Sequence, residues 1–121
     1  MLKASHGPAK PDIKRVVNDL LVEDSNFDRA ENRSAHREHP VRSVTIELRN
    51  TGESIPAFSR NISATGIGLI TANPLKIDQT GILTLERLHG RDLQFLAECR
   101  WCKAYGENWY ISGWQFIKIN R

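Results

Sequence analysis

The first regular hydrophobic pattern of the chain lies near its N-terminus. Apolar side chains recur there at intervals of three and four residues, at Ile13, Val16, Val17, Leu20 and Leu21. This spacing predicts an amphipathic helix of about three turns over residues 12–22, and Pro11 stands at its entrance, where proline is tolerated. Because so short a helix is marginal in isolation, we expect its apolar stripe to pack on the rest of the chain or on a partner.

After Arg42 the period changes to two, which is typical of strands. Val44, Ile46 and Leu48 alternate with polar residues and predict the first strand. Turn residues such as glycine and asparagine separate five further predicted strands, at residues 57–63, 67–71, 82–88, 93–101 and 108–119. In the fifth strand, the alternation places Trp101 on the same face as Phe95. Short strands at this spacing predict an antiparallel barrel or sandwich.

Between helix and strands lies a polar segment, residues 24–42, which we expect to be an extended arm. Its charge is carried by arginine: five arginines and no lysine occur from position 29 to 49, namely Arg29, Arg33, Arg37, Arg42 and Arg49. The guanidinium fork suits bidentate contact with phosphate and stacking on a base, although a solvated charged stretch is the plainer interpretation. The formal net charge of +3 is too small by itself to indicate DNA binding.

A second polar group lies where the second predicted strand ends. Asn61 and Ser63 are two positions apart, so both project from one face, while Ile62 points to the core. We expect Gly66 to give the following turn a permissive backbone and to let a flat ligand approach the main chain. Alone, the pair is also typical of a turn whose side chains bond the backbone.

Together, the arm and this strand end resemble the PilZ domain, the bacterial cyclic di-GMP receptor module. The family's motifs are RxxxR ahead of the barrel and, about 25 residues later, D/N-x-S-x-x-G-x-x-L. The matching residues are Arg33 and Arg37 in the first motif, and Asn61, Ser63, Gly66 and Leu69 in the second. Residues 110–116 are similar to the strand that ends the family's barrel, and the whole resemblance covers roughly residues 30–118.

The resemblance implies an all-β fold, a six-stranded antiparallel β-barrel of the split-barrel type, here with an N-terminal amphipathic helix. It implies a non-enzymatic receptor that binds cyclic di-GMP and needs no cofactor or metal. The implied ligand-binding residues are Arg33, Arg37, Asn61, Ser63 and Gly66, with further contacts expected from Asn32, Ser34, Gly68 and Trp114. Asparagine at position 61, where the family more commonly has aspartate, gives up a charge-assisted hydrogen bond and would lower affinity.

These expectations divide the chain into a leader with the helix (residues 1–28), an arginine-rich ligand-binding arm (29–42) and a PilZ-like barrel (43–121). We expect ligand capture to order the arm and thereby to reposition the helix, which would transmit the signal to an unknown downstream protein. Two alternatives stay open: a PilZ-like adaptor with weak or no nucleotide binding, and a small basic barrel that binds single-stranded nucleic acid. A homodimer is also open, whereas DNA binding and a membrane segment are not expected.

The cysteines and histidines offer weaker signals. Cys99 and Cys102 form a CxxC in a predicted strand, where a three-residue offset sends side chains to opposite faces. His36 and His39 could complete four zinc ligands with them, but they lie in the arm, so we expect no metal site. Few cysteines and a polar N-terminus without a secretory signal predict a cytoplasmic protein.

Overall fold

In a computed structural model of the chain, structure is described for residues 10–31, 42–87 and 90–120, with the side chains of the helix described up to residue 22. The elements are α1 (Pro11–Glu31), β1 (Ser43–Leu48), β2 (Ser54–Ile62), β3 (Gly66–Thr71), β4 (Thr80–Leu85), β5 (Leu93–Ala104) and β6 (Tyr110–Ile119). All strand pairs are antiparallel, and they close into a barrel in the order β1-β2-β3-β6-β5-β4. The predicted fold, a six-stranded antiparallel barrel preceded by a helix, is confirmed.

Helix α1 packs on its own barrel, the first of the two expected arrangements. Ile13, Val17 and Leu20 are at most 2% exposed and belong to the same apolar cluster as the barrel interior. The helix begins at Pro11, and the N–H of Lys14 donates to the carbonyl of Lys10 at 2.9 Å. The hydrophobic stripe therefore becomes part of the single core of the domain.

The predicted end of the helix was wrong. The α1 backbone continues to Glu31, so residues 24–31, expected to be part of an extended arm, are helical. Polar composition suggested an arm, but this stretch contains no proline or glycine to interrupt the helix, and its first residues continue a helix already nucleated by packing. Residues 32–41, which carry the predicted ligand contacts of the arm, lie outside the described residues.

Arg42, the last arginine of the predicted arm, has a structural role. Its side chain is 8% exposed, and its guanidinium donates to the carbonyl oxygen of Glu86 at 2.9 Å and to that of Leu20 at 3.2 Å. Its own N–H donates to the hydroxyl of Ser59 at 3.0 Å. Arg42 thus joins α1 to the ends of two barrel strands.

Two β-bulges shape the outer face of the barrel. The register of β2 against β3 shifts between Ser59 and Asn61, and that of β5 against β6 shifts between Cys99 and Trp101. A bulge adds one residue to one strand, which reverses the face that the following side chains occupy. Trp101 is consequently 43% exposed, whereas Phe95 is fully buried and stacks on Phe116 in the core. The prediction that Trp101 shares the core face was therefore wrong.

Candidate ligand-binding site

The two bulges face each other across a row of four residues on the outer surface. Asn61 of β2 pairs with Gly68 of β3, Gly68 pairs with Gly113 of β6, and Gly113 pairs with Trp101 of β5. Directly opposed residues of antiparallel strands project from the same face. The bulges therefore turn the amide of Asn61 and the indole of Trp101 outward, at the two ends of a row whose two middle residues are glycines.

The side chains at the two ends lean inward over the glycines. A Cβ atom on Gly68 would lie 2.5 Å from Oδ1 of Asn61, and one on Gly113 would overlap the indole ring of Trp101. The exposed indole is in turn contacted by Lys103, whose Nζ lies 5.6 Å from the ring centroid. Any residue larger than glycine at either position would displace the amide or the indole.

The turn that follows β2 is held by Ser63. Its backbone N–H donates to the carbonyl of Gly66 at 2.8 Å, and its hydroxyl lies 3.3 Å from both the N–H and the hydroxyl of Thr65. Ser63 is exposed, as is Asn61, while Ile62 packs against the core. The predicted sharing of one outer face by Asn61 and Ser63 is therefore confirmed, and the hydroxyl also has the turn-forming role that was considered beside it.

The permissive turn backbone expected of Gly66 is not what the structure shows at this position. Its backbone lies outside the left-handed region, which the glycines at positive φ (Gly52, Gly90 and Gly106) occupy elsewhere in the described residues. A Cβ on Gly66 would instead overlap the carbonyl oxygen of Trp114 on β6. Close approach of two backbones, and not an unusual turn conformation, selects glycine here.

These features surround an open cleft of about 460 Å³, within the usual range for small-molecule sites. Its lining residues are Asn61, Ile62, Ser63, Thr65, Gly66, Ile67, Gly68, Arg100, Trp101, Gly113, Trp114 and Gln115. The barrel residues predicted as ligand contacts are thus brought together. The indole of Trp114, however, is buried and donates to the hydroxyl of Ser112 at 2.9 Å, which leaves its main chain to face a ligand.

The four predicted contacts from the arm cannot be placed. They lie outside the described residues and are Asn32, Arg33, Ser34 and Arg37. The structure thus describes the barrel side of the predicted site.

Sequence reasoning missed several lining residues, above all Arg100 and Trp101. The alternation of β5 assigned Trp101 to the core, and the bulge that turns it outward left no signal in the alternation of residue types. Gly113 lies in the predicted closing strand, residues 110–116, for which the sequence indicated no contact with Trp101. The register of β6 against β5 and β3 is what brings these residues beside Asn61.

The CxxC pair does not form a reactive site in this arrangement. The bulge places both cysteines opposite inward-facing residues of β6, Cys99 opposite Trp114 and Cys102 opposite Ser112, so the expected opposite faces were wrong. Both are free, and burial, with a smaller contribution from Cys102, raises the pKa of the Cys99 thiol to about 11. Such a thiol is protonated and inert at neutral pH.

The described part of the chain shows neither a metal-binding cluster nor a membrane-spanning helix. It contains no group of three or more His, Cys, Asp or Glu side chains that could hold a metal ion, and all four histidines lie outside it. Within the same residues, no helix has the length and apolar character needed to cross a membrane.

The described residues thus form a closed barrel with an open, partly polar cleft on its outer face. Comparison with protein families specifies the class: the model of the PilZ domain matches residues 31–121, and the chain belongs to the PilZ family. PilZ domains are generally cyclic di-GMP receptor domains and bind without catalysis. Neither the search of curated proteins nor that of solved structures found a match.

Proposed function

We propose that this protein is a receptor for cyclic di-GMP that binds the nucleotide in the cleft without changing it chemically. The observation that carries the proposal is the convergence of the family's strand motif on one accessible surface. Asn61, Ser63 and Gly66 all line the cleft, and two independent bulges open that surface to solvent. Bulges frequently aim side chains at functional sites.

The chemistry of the cleft fits a guanine. The side-chain oxygen of Asn61 can accept a hydrogen bond from guanine N1–H or N2–H₂, and the exposed indole of Trp101 offers a surface on which a base can stack. Gly66 and Gly68 line the same cleft. In the proposal, Arg33 and Arg37 close over the ligand and contact phosphate oxygens or the O6 and N7 edge of guanine.

Signal transmission follows from the position of Arg42. In the proposal, capture of the ligand by Arg33 and Arg37 orders the residues between α1 and Arg42. Arg42 bonds the carbonyl of Leu20 in α1 as well as that of Glu86. A shift of the chain that moves Arg42 would therefore also move the helix. The helix would then present a changed surface to a downstream protein, in the cytoplasm where the second messenger is produced.

Calorimetric titration with cyclic di-GMP tests the binding proposal. We expect saturable binding by the wild type. Arg37→Ala should lose about 1.5–3 kcal/mol of binding free energy, because it removes a charged hydrogen-bonding group. The matched control is Arg49→Ala, which removes the same charge from an exposed position just after β1, on the wall opposite β6.

Three outcomes would contradict the proposal. Absence of heat with cyclic di-GMP would leave the adaptor alternative. Equal affinity for cyclic di-AMP would show that guanine is not recognised. Tight binding of any single-stranded oligonucleotide, lost steeply with salt, would favour the nucleic-acid alternative. Transmission is tested separately by hydrogen exchange, in which unchanged protection of α1 at saturating ligand would refute the role given to Arg42.

A further inference from the structure

The cleft contains one charged lining residue in the described part of the chain, and that residue is paired. Arg100 lines the cleft near its β5 edge, and its Nη1 atom lies 3.0 Å from Oε1 of Glu98. The two side chains are 32% and 29% exposed, so the pair is accessible to solvent and to a ligand. The charged lining residue of the cleft is therefore paired with a carboxylate of the same strand.

The bulge of β5 explains why these two residues meet. Arg100 is the extra residue between Cys99 and Trp101 in the register with β6, while Glu98 pairs with Gln115, another lining residue. Arg100 thus lies between Glu98 and Trp101 on β5, next to the indole on which the proposed function stacks a base. A guanidinium at this point can bond either the carboxylate or a phosphate with the same fork of N–H groups.

The relative strength of the two interactions favours exchange. Ion pairs that are this accessible are weak, worth at most about a five-fold factor in an equilibrium constant. Charge-assisted contacts from arginine to phosphate, in a cleft that a bound base shields from water, are stronger. Moreover, the carboxylate of Glu98 repels an incoming phosphate by like charge.

We propose that Arg100 is a phosphate-binding residue of the cleft and that Glu98 is its built-in competitor. An anionic ligand must then displace the carboxylate from Arg100, and the Glu98–Arg100 pair sets how tightly the cleft binds. This inference rests on the proposed function and adds to it two residues that the family motifs do not contain.

Titration of three variants with cyclic di-GMP tests the inference. We expect Glu98→Gln to bind about two- to five-fold more tightly than the wild type, because the competing ion pair is removed. We expect Arg100→Ala to bind about ten-fold more weakly or worse, and Arg100→Lys to recover part of the loss. In the double variant Glu98→Gln/Arg100→Ala, the gain from Glu98→Gln should disappear, apart from the small effect of removing a negative charge.

Matched controls separate local competition from net charge. Glu47→Gln on β1 and Arg49→Ala just after it make the same charge changes on the opposite wall of the barrel, and we expect both to bind as the wild type does. Circular dichroism melting confirms that each variant is folded. A larger affinity gain for Glu98→Gln than for Glu47→Gln is the signature that a merely structural role of Glu98 would not produce.

The failures of the two proposals are distinguishable. If the wild type binds cyclic di-GMP and neither Arg100→Ala nor Glu98→Gln differs from its control, the inference is overturned while the proposed function stands. If Arg100→Ala weakens binding but Glu98→Gln matches Glu47→Gln, the competitor role of Glu98 is overturned. If the wild type itself gives no heat, the proposed function fails and takes this inference with it.

Discussion

Replacing Gly68 by alanine should weaken ligand binding while leaving the strands of the barrel in place. The added methyl group would lie 2.5 Å from Oδ1 of Asn61, whereas Cγ of Asn61 and Cβ of Arg60 would be at 3.6 and 3.7 Å. The close atom is the end of an exposed side chain, and Gly68 has no positive φ that alanine could not adopt. We therefore expect the amide of Asn61 to retreat by about 1 Å, to an ordinary non-bonded separation, while the strands stay in place.

The expected change in stability is small because two contributions oppose each other. Forcing the Asn61 side chain off its preferred rotamer costs about 0.5–1.5 kcal/mol. Alanine in place of glycine restricts the unfolded chain, which stabilises the fold by about 0.4–1 kcal/mol. The free energy of unfolding should therefore change by less than about 1 kcal/mol. Binding should suffer more, because a displaced Asn61 leaves a buried guanine donor unpaired at a cost of about 1–3 kcal/mol.

Urea unfolding followed by tryptophan fluorescence measures the free energy of unfolding, and calorimetric titration with cyclic di-GMP measures the affinity. The comparison variant is Asn61→Ala, which removes the same amide directly. The reasoning would be refuted by wild-type affinity in Gly68→Ala alongside weakened binding in Asn61→Ala. It would also be refuted by a stability loss of more than about 2 kcal/mol, since the strands would then have moved.

Three further predictions concern the stability of the barrel and the reactivity of Cys99. Gly66→Ala should lose about 1–3 kcal/mol in urea unfolding, because its methyl group meets the main-chain carbonyl of Trp114 and not a movable side chain; wild-type stability would contradict this. Arg42→Ala should lower the free energy of unfolding by about 2–4 kcal/mol, because it removes a buried guanidinium that bonds the carbonyls of Leu20 and Glu86, and hydrogen exchange in α1 should accelerate; unchanged exchange would count against the link. In the fold the pKa of the Cys99 thiol is about 11, above its ordinary value of 9.0, so the folded protein disfavours the thiolate. Its contribution to stability should be intact below about pH 9 and lost as the pH rises toward 11, and in Cys102→Ser native Cys99 should resist iodoacetamide at pH 8; rapid alkylation would argue otherwise.

The architecture could be predicted because it rests on periodicity. The stripe of Ile13, Val17 and Leu20 and the alternation of Val44 and Ile46 each report which side of an element is buried. A buried face needs apolar residues at the spacing of the helix or strand, so burial can be recognised in the sequence. The extension of α1 to Glu31 left no such trace, since polar residues are compatible with both a helix and an arm.

The bulges could not be predicted, because an extra residue changes the face of a side chain without changing its type. Asn61 pairs with Gly68 only because the register of β2 shifts after Ser59; in a regular strand, position 61 would continue the inward series of Ala57 and Ser59. The sequence motif gave the correct outward assignment for Asn61 since it counts from Ser63, beyond the bulge. On β5 no motif was available to count from, and Trp101 was assigned to the core.

The same contrast explains which half of the cleft the family motif contains. Asn61, Ser63 and Gly66 belong to one hairpin, so a short stretch of sequence specifies their relative positions. Arg100 and Trp101 reach that hairpin only through β6, by way of Gly113 and Gln115, across pairings that depend on the closure of the whole barrel. The positions of Arg100 and Trp101 relative to Asn61 are therefore set by the whole barrel and not by the short stretch of sequence that contains the motif.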